Sequence, residues 1–416
     1  MRSERLRIGI VGCGRILPAH LHAYKALIDA GVGDFEITAL CARKLEDVER
    51  FLAPGGPPPR PPLTDNPGDP LNAPHIYLSD LFPDTHVQSW TDSEAMIEEA
   101  DLDVIDVTAS VAVHHPAAVQ AAAKGRHVMV QKPIAGNVRE AAEMVAAAER
   151  AGIALGVMEN VRYEPSVLME RWLVEKGHLG TIQMVAAAYL GTHQWSPDRV
   201  VADTPWRHRV AEAGGGISVD LGVHFFQRLR YVCGPIARVY GSVRIFEPVR
   251  YKRNAAGELV EQVEVDADDT MFCQVEFDGG GVAHLSASWA GHGPPTQFPG
   301  GMVIYGSRGA LQGNQLHLDG QPPTTLEEFF EEHATEAERE AIFPLGIRSS
   351  FTQAYLDFFK AIREGRAPTY DGREGLLDLA LCAAVVESSR SHRPFSAEEV
   401  LSELGEVAAS QTIQRS

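Results

Sequence analysis

Through residues 1–160, short apolar runs take turns with apolar stripes of helical period. Leu6, Ile8, Ile10 and Val11 make the first run, and Gly12-Cys13-Gly14 breaks it where a strand must turn sharply into a helix. Leu17, Leu21, Tyr24 and Ile28 then repeat at helical spacing, with Pro18 suited to the first turn. Later runs at Phe35–Cys41, Val104–Thr108, His127–Val130 and Ile153–Met158 predict strands. Between them 45–51, 93–100, 114–124 and 140–151 predict helices. Such β-α alternation predicts a doubly wound parallel sheet with ligands at the carboxyl ends of its strands. One stretch breaks the rhythm. Pro54–Pro62 (PGGPPPRPP) and the Pro- and Asp-rich continuation to about Asp84 lack donors and free φ angles, so an irregular insertion loop is expected there.

Past residue 160 the pattern changes. A helix at 167–176, closed by Gly177, leads into strand-like runs at 181–191, 239–246, 270–277, 281–289 and 302–305. Polar or glycine turns such as Asp278-Gly279-Gly280 join them. An acidic helix is predicted over 325–342, at a surface or interface, and amphipathic helices over 351–364 and 376–388 that pack against the domains. A length of 416 residues favours two domains, which the change of pattern divides into 1–160 and 161–416.

Composition narrows the partners. A formal net charge of −19 opposes binding to nucleic acid or an anionic membrane, both of which need clustered Lys and Arg. Five scattered cysteines without C-x-x-C spacing suggest neither a disulfide framework nor a zinc site, and fit a reducing cytosol. Neither an export signal nor a run of about 18 apolar residues is present, so a cytoplasmic protein is expected.

The glycine turn is the first candidate for chemistry. Glycines let a pyrophosphate approach the backbone, and the following helix N-terminus attracts its charge. Leu17 stands where G-x-G-x-x-G would place its third glycine, so the turn by itself fits a dinucleotide site or a tight βα turn in another α/β protein. At the end of the second strand Ala42 and Arg43 replace the acidic residue that would bond ribose hydroxyls, which favours NADP over NAD unless Arg43 is merely solvated. Lys132 precedes Pro133 at a strand's carboxyl end, by local sequence a surface turn. Gly214-Gly215-Gly216 opens a helix on which Asp220 and His224 stand four apart, a spacing that also suits a paired surface Asp and His. His114 and His115 lack a third ligand at metal spacing and read as a helix start, so no metal is expected.

Several separated motifs together resemble the Gfo/Idh/MocA oxidoreductases: GCGRILPAH, AAVQAAAKGRHVMVQKPIA, ENVRYEP, GHLGTI, TPWRHRVAEAGGGISVDLGVH and FFKAIREGRAPTYDGREGLLDLALCAAVVES. The resemblance implies an N-terminal Rossmann domain and a C-terminal α/β domain built on a large open, mainly antiparallel sheet that carries the substrate pocket and often the oligomer contact. It implies NADP or NAD held by Gly12, Gly14, Arg15, Ile16, Ala42, Arg43, Thr108, His114, Gln131 and Lys132. A polyol or glycoside substrate would meet Lys132, Asn160, Arg162, Tyr163, Trp206, Arg207, Asp220 and His224, with Trp195 and His193 in the same aromatic and cationic stretch. A homodimer or homotetramer is implied. Two departures stand out. Gln131 occupies the place of the usual Glu in a Glu-Lys-Pro tripeptide, and Ala109 follows Thr108 where Pro is usual, with His114 one residue further on.

The trio implied for catalysis is Lys132, Asp220 and His224. Oxidising a carbinol requires its hydroxyl proton to leave as hydride departs, and histidine is the natural acceptor near neutral pH. Lys132 would stabilise developing alkoxide charge, and Asp220 would orient the lysine or the substrate hydroxyls. Lysine as acceptor with histidine as polariser remains open. Rival activities within the family are a lyase or glycosidase with transient internal redox, and a cofactor-binding regulator without catalysis.

Overall fold

Leu6–Val11 (β1) lies inside a six-stranded sheet with β2 (Phe35–Cys41), β3 (Gln88–Trp90), β4 (Val104–Val107), β5 (His127–Gln131) and β6 (Leu155–Met158). The strands run in the order 3-2-1-4-5-6, and every pair is parallel. Both faces are covered, which is why β4 and β6 are buried at every position and read as unbroken apolar runs. The computed structural model describes residues 5–63, 66, 68–191, 198–254 and 256–403. His193 and Trp195 fall outside them.

The chain divides into two compact units, one comprising Met1–Gly136, Glu140–Tyr163 and Ile347–Leu376, the other Asn137–Arg139, Glu164–Gly346 and Leu377–Ser416. In the first unit, β3 was not visible as a strand because it is a three-residue edge with little burial. The proline-rich insertion is more regular than expected. It holds a 3-10 turn at Pro70–Asn72 and a helical turn at Leu78–Leu81, and Ile76, Leu78, Leu81 and Phe82 bury their side chains. Enough apolar residues survive between the prolines to anchor it.

The second unit is built on eight strands in the order β16-β15-β14-β13-β7-β12-β11-β8. These are β7 (Ile182–Leu190), β8 (Ile236–Arg244), β11 (Thr270–Phe277), β12 (Val282–Ser288), β13 (Thr296–Gly306), β14 (Gly309–Gln312), β15 (Gln315–Leu318) and β16 (Thr324–Thr325). All pairs are antiparallel except β7 with β12. A separate hairpin joins β9 (Val249–Arg253) to β10 (Leu259–Glu264). Along β11 Met271, Cys273 and Val275 are buried while Phe272, Gln274 and Glu276 are exposed. The register puts Tyr240, Val282, Met184 and Tyr305 on that exposed side with Phe272.

The single acidic helix expected over 325–342 is two helices, Leu326–His333 and Glu336–Ile342. Each is opened by a capping box, Thr325 with Glu328 and Thr335 with Glu338. Nor is it only a surface feature: Phe329 and Phe330 are buried, and the Phe330 ring meets Trp172 edge-on at 5.0 Å.

Candidate active site

In the first unit, strand order reverses between β1 and β4, the switch point where open α/β sheets bind ligands. Gly12 lies there with φ +117°, and a Cβ on it would come 2.5 Å from the Ala109 nitrogen. Its N–H donates to the Cys41 carbonyl at 2.8 Å, and Thr108 Oγ1 donates to its carbonyl at 2.5 Å. A Cβ on Gly14 would meet no atom within 4 Å, so this side of the turn is open to a close-approaching ligand. The helix Leu17–Asp29 starts here after Ile16, with no side-chain cap and no acidic residue in its first turn. These are the conditions a diphosphate needs at a helix N-terminus. Leu17 is fully buried, so the missing third glycine is filled by a packed side chain.

The proline-rich insertion reaches this turn. Arg60 Nη1 donates to the Cys13 carbonyl at 2.8 Å and its other nitrogen pairs with Asp47, while Arg15 Nη1 donates to the Pro61 carbonyl at 2.6 Å. Ala42 is tied to the Trp90 carbonyl through its N–H at 3.1 Å, and Arg43 is exposed beside it. Nothing in the sequence marks Arg60, a lone cation among prolines, as a neighbour of the glycine turn.

Lys132 follows β5, half-buried, and its bond to Pro133 is cis. Its N–H donates to Gln131 Oε1 at 2.9 Å, and Gln131 Nε2 lies 2.9 Å from His20 Nε2. His114 is buried, with Nδ1 3.0 Å from the Pro133 carbonyl and Nε2 3.2 Å from that of Ala109, so it ties the loop after β4 to the Lys132 turn. Burial lowers its pKa, although the carbonyls work the other way. His115 pairs instead with Glu143 at 2.8 Å. Asn160 and Arg162 stand half-buried in a 3-10 turn after β6. Tyr163 closes that turn buried, its hydroxyl donating to Asp357 at 3.1 Å within the unit. Tyr163 is thereby anchored by packing and by Asp357 within the first unit.

In the second unit, Trp206 and Arg207 share a 3-10 turn, Pro205–His208, with the guanidinium carbon 4.8 Å from the indole centroid. Arg207 Nε donates to Asp220 Oδ2 at 2.9 Å and Nη1 to Thr204 Oγ1 at 2.6 Å. Asp220 and His224 do not share one continuous helix as predicted. Asp220 ends a single turn, Ile217–Asp220, and after Leu221 His224 lies in the first turn of Gly222–Cys233. The single turn is held by Asp268, which accepts from the N–H groups of Gly216 at 3.0 Å and Ser218 at 2.8 Å and from Ser218 Oγ at 2.9 Å. Gly216 is essential there, because a Cβ on it would run into the Asp268 carbonyl. Gly214 takes a left-handed conformation (φ +80°) to end a preceding turn, Val210–Ala213.

Thus the first unit brings Gly12, Thr108, Gln131, Lys132 and His114 into one bonded set of strand ends, and the second pairs Arg207 with Asp220. Among the described residues no group of three metal-ligating side chains occurs, and no helix is long and apolar enough to cross a membrane.

A model of an oxidoreductase family's NAD-binding Rossmann fold matches residues 6–159, and a model of the GFO/IDH/MocA C-terminal domain matches 169–312. Levoglucosan dehydrogenase of Pseudarthrobacter phenanthrenivorans is 26% identical over 72% of this chain and 81% of its own length. D-apiose dehydrogenase of Paraburkholderia graminis is 24% identical over 98% of this chain and 93% of its own. Among solved structures, an oxidoreductase domain protein from Kribbella flavida matches with a TM-score of 0.72 at 25% identity, over 94% of this chain and 98% of that one. A levoglucosan dehydrogenase complex with NADH and L-sorbose shares the fold, with a TM-score of 0.73 at 21% identity over 95% and 99%.

Proposed function

Since the chain belongs to the Gfo/Idh/MocA oxidoreductase family, we propose that it is an NAD(P)-dependent dehydrogenase acting on a secondary alcohol of a sugar, glycoside or cyclitol. The observation that carries the reading is the glycine turn at the sheet's switch point, open at Gly14 and followed by a helix with no acidic first turn. It suits a dinucleotide diphosphate. When bound, the nicotinamide supplies the hydride acceptor or donor.

The remaining work falls to side chains of this chain. His224 takes the hydroxyl proton as the carbinol is oxidised, and the Lys132 ammonium stabilises negative charge growing on the same oxygen. Asp220, fixed by its ion pair with Arg207 at 2.9 Å, orients substrate hydroxyls. The Trp206 indole offers an apolar face to sugar C–H groups, and Asn160 and Arg162 add polar contacts. Arg43, exposed after Ala42, favours NADP through its charge toward a 2′-phosphate. The apolar side of the second sheet, with Met184, Tyr240, Phe272, Val282 and Tyr305 exposed, suits a second copy of the chain, so the enzyme is a homo-oligomer. Five free cysteines suit a reducing cytosol.

The test is a panel of sugars, glycosides and cyclitols offered with NAD⁺ or NADP⁺ while reduced-nicotinamide absorbance is followed. Net accumulation with at least one of them is the expected result. Product formed without accumulation points instead to internal redox in a lyase or glycosidase, and silence with every compound to a cofactor-binding regulator.

A further inference from the structure

We propose that His20 is a positioning residue for Lys132, acting through the Gln131 amide as the upper part of a one-way hydrogen-bond chain buried beneath the catalytic turn. The proposal deepens the reading of Lys132 given above. Asp106 Oδ2 accepts from Tyr24 at 2.8 Å and from the Tyr355 hydroxyl, and His20 Nδ1 lies 2.5 Å from that same hydroxyl. At the other edge of the ring, His20 Nε2 lies 2.9 Å from Gln131 Nε2, while Gln131 Oε1 accepts from the Lys132 N–H at 2.9 Å. His20, Tyr24, Asp106 and Tyr355 are all fully buried.

The direction of the chain follows from counting protons. A tyrosine that donates its only proton to Asp106 can only accept from His20, so the imidazole carries hydrogen on Nδ1. Burial keeps His20 neutral by pushing its pKa down to about 3, so Nε2 has no proton and needs a donor opposite. Gln131 supplies one from its amide nitrogen and turns its oxygen to the Lys132 N–H. A carboxylate at 131 would face a lone pair with a lone pair. The Gln131 amide is therefore complementary to this tautomer of His20, and the pair fixes the backbone from which Lys132 projects. Around His20 the titratable groups are Asp106, 3.9 Å away, with Tyr355 and Tyr24, and the Phe351 ring lies edge-on at 5.2 Å.

Two measurements on the full chain test this. Nitrogen NMR of the ¹⁵N-histidine-labelled protein should show His20 as a neutral Nδ1–H imidazole from mildly alkaline to mildly acidic pH. An Nε2–H tautomer or a protonated ring overturns the proposal, and this readout does not depend on catalysis. In turnover with the cofactor saturating, Gln131→Glu should lower kcat by about tenfold or more at alkaline pH. The deficit should shrink on acidification, because one added proton gives the pair a donor. Adding His20→Gln, whose amide can donate to the introduced carboxylate, should restore part of the loss. Wild-type kcat in Gln131→Glu at every pH, or no gain in a folded double variant, contradicts the positioning role. Loss of turnover with the tautomer as expected but no pH-dependent recovery rejects that role and leaves the assigned activity standing.

Discussion

Gly12 and Gly14 stand two residues apart and answer to different demands. Gly12 has φ +117° and backbone 2.5 Å from where its Cβ would be, so Gly12→Ala strains the fold itself. We expect a loss of about 1–3 kcal/mol, seen as a lower thermal midpoint. Gly14 has no protein atom within 4 Å of that position, so Gly14→Val should leave the melt nearly unchanged while weakening NAD(P) binding about tenfold or more by titration. A Gly14→Val protein that binds the cofactor normally would remove the diphosphate from this turn. Both glycines were legible because a strand-ending apolar run and a helical stripe bracket them. His20 was not: its ring is fixed by Gln131, 111 residues on, and Tyr355, 335 residues on. Local pattern carries no trace of partners so distant.

At the scale of elements, the short helix Ile217–Asp220 has too few internal bonds to hold itself. Asp268 supplies three acceptor contacts at its start. Asp268→Ala should cost on the order of 3 kcal/mol and lower kcat through misplaced Asp220, with cofactor affinity kept. A variant with normal melt and turnover would show that the cap is dispensable. The insertion makes a similar contribution at the glycine turn: Arg60→Ala removes its ties to Cys13 and Asp47, and the expected result is weaker NAD(P) binding with the thermal midpoint within a few degrees. Equal cofactor affinity in variant and parent would reduce the insertion to packing. Long runs such as Phe35–Cys41 and Thr270–Phe277 were legible from period alone. β3, the β9–β10 hairpin and β14 to β16 were not, because they are short and hold few fully buried apolar positions to set a period. The break at Leu221 was hidden as well, since Asp220 and His224 keep helical spacing across it.

Across the whole molecule, buried neutral histidines set the response to acid. His20 in the first unit and His208 in the second are both pushed down from 6.5 to about 3, with burial the largest cause. A lowered histidine gives stability that is complete above the unfolded value and is lost as pH falls from 6.5 toward 3. At about pH 5 each therefore costs on the order of 2 kcal/mol relative to neutrality. Asp106 works in the opposite sense. Burial pushes it up from 3.8 to about 6, so its contribution is full below its unfolded value and is lost as pH rises through about 6. On acidification it offsets part of the His20 loss. Hydrogen exchange of the second unit at neutral and mildly acidic pH checks the His208 response, and His208→Gln, which keeps an acceptor for the Val201 N–H, should flatten it. Equal protection at both pH values would contradict it.

The central claim is that Lys132 and His224 serve one chemical step. Its most direct test is single-turnover reduction of bound NAD(P)⁺ in Lys132→Ala and His224→Ala, with cofactor affinity measured separately by fluorescence titration. With the cofactor saturating, each variant should lose hydride transfer by about two to four orders of magnitude. Parental hydride transfer in either variant would contradict the account.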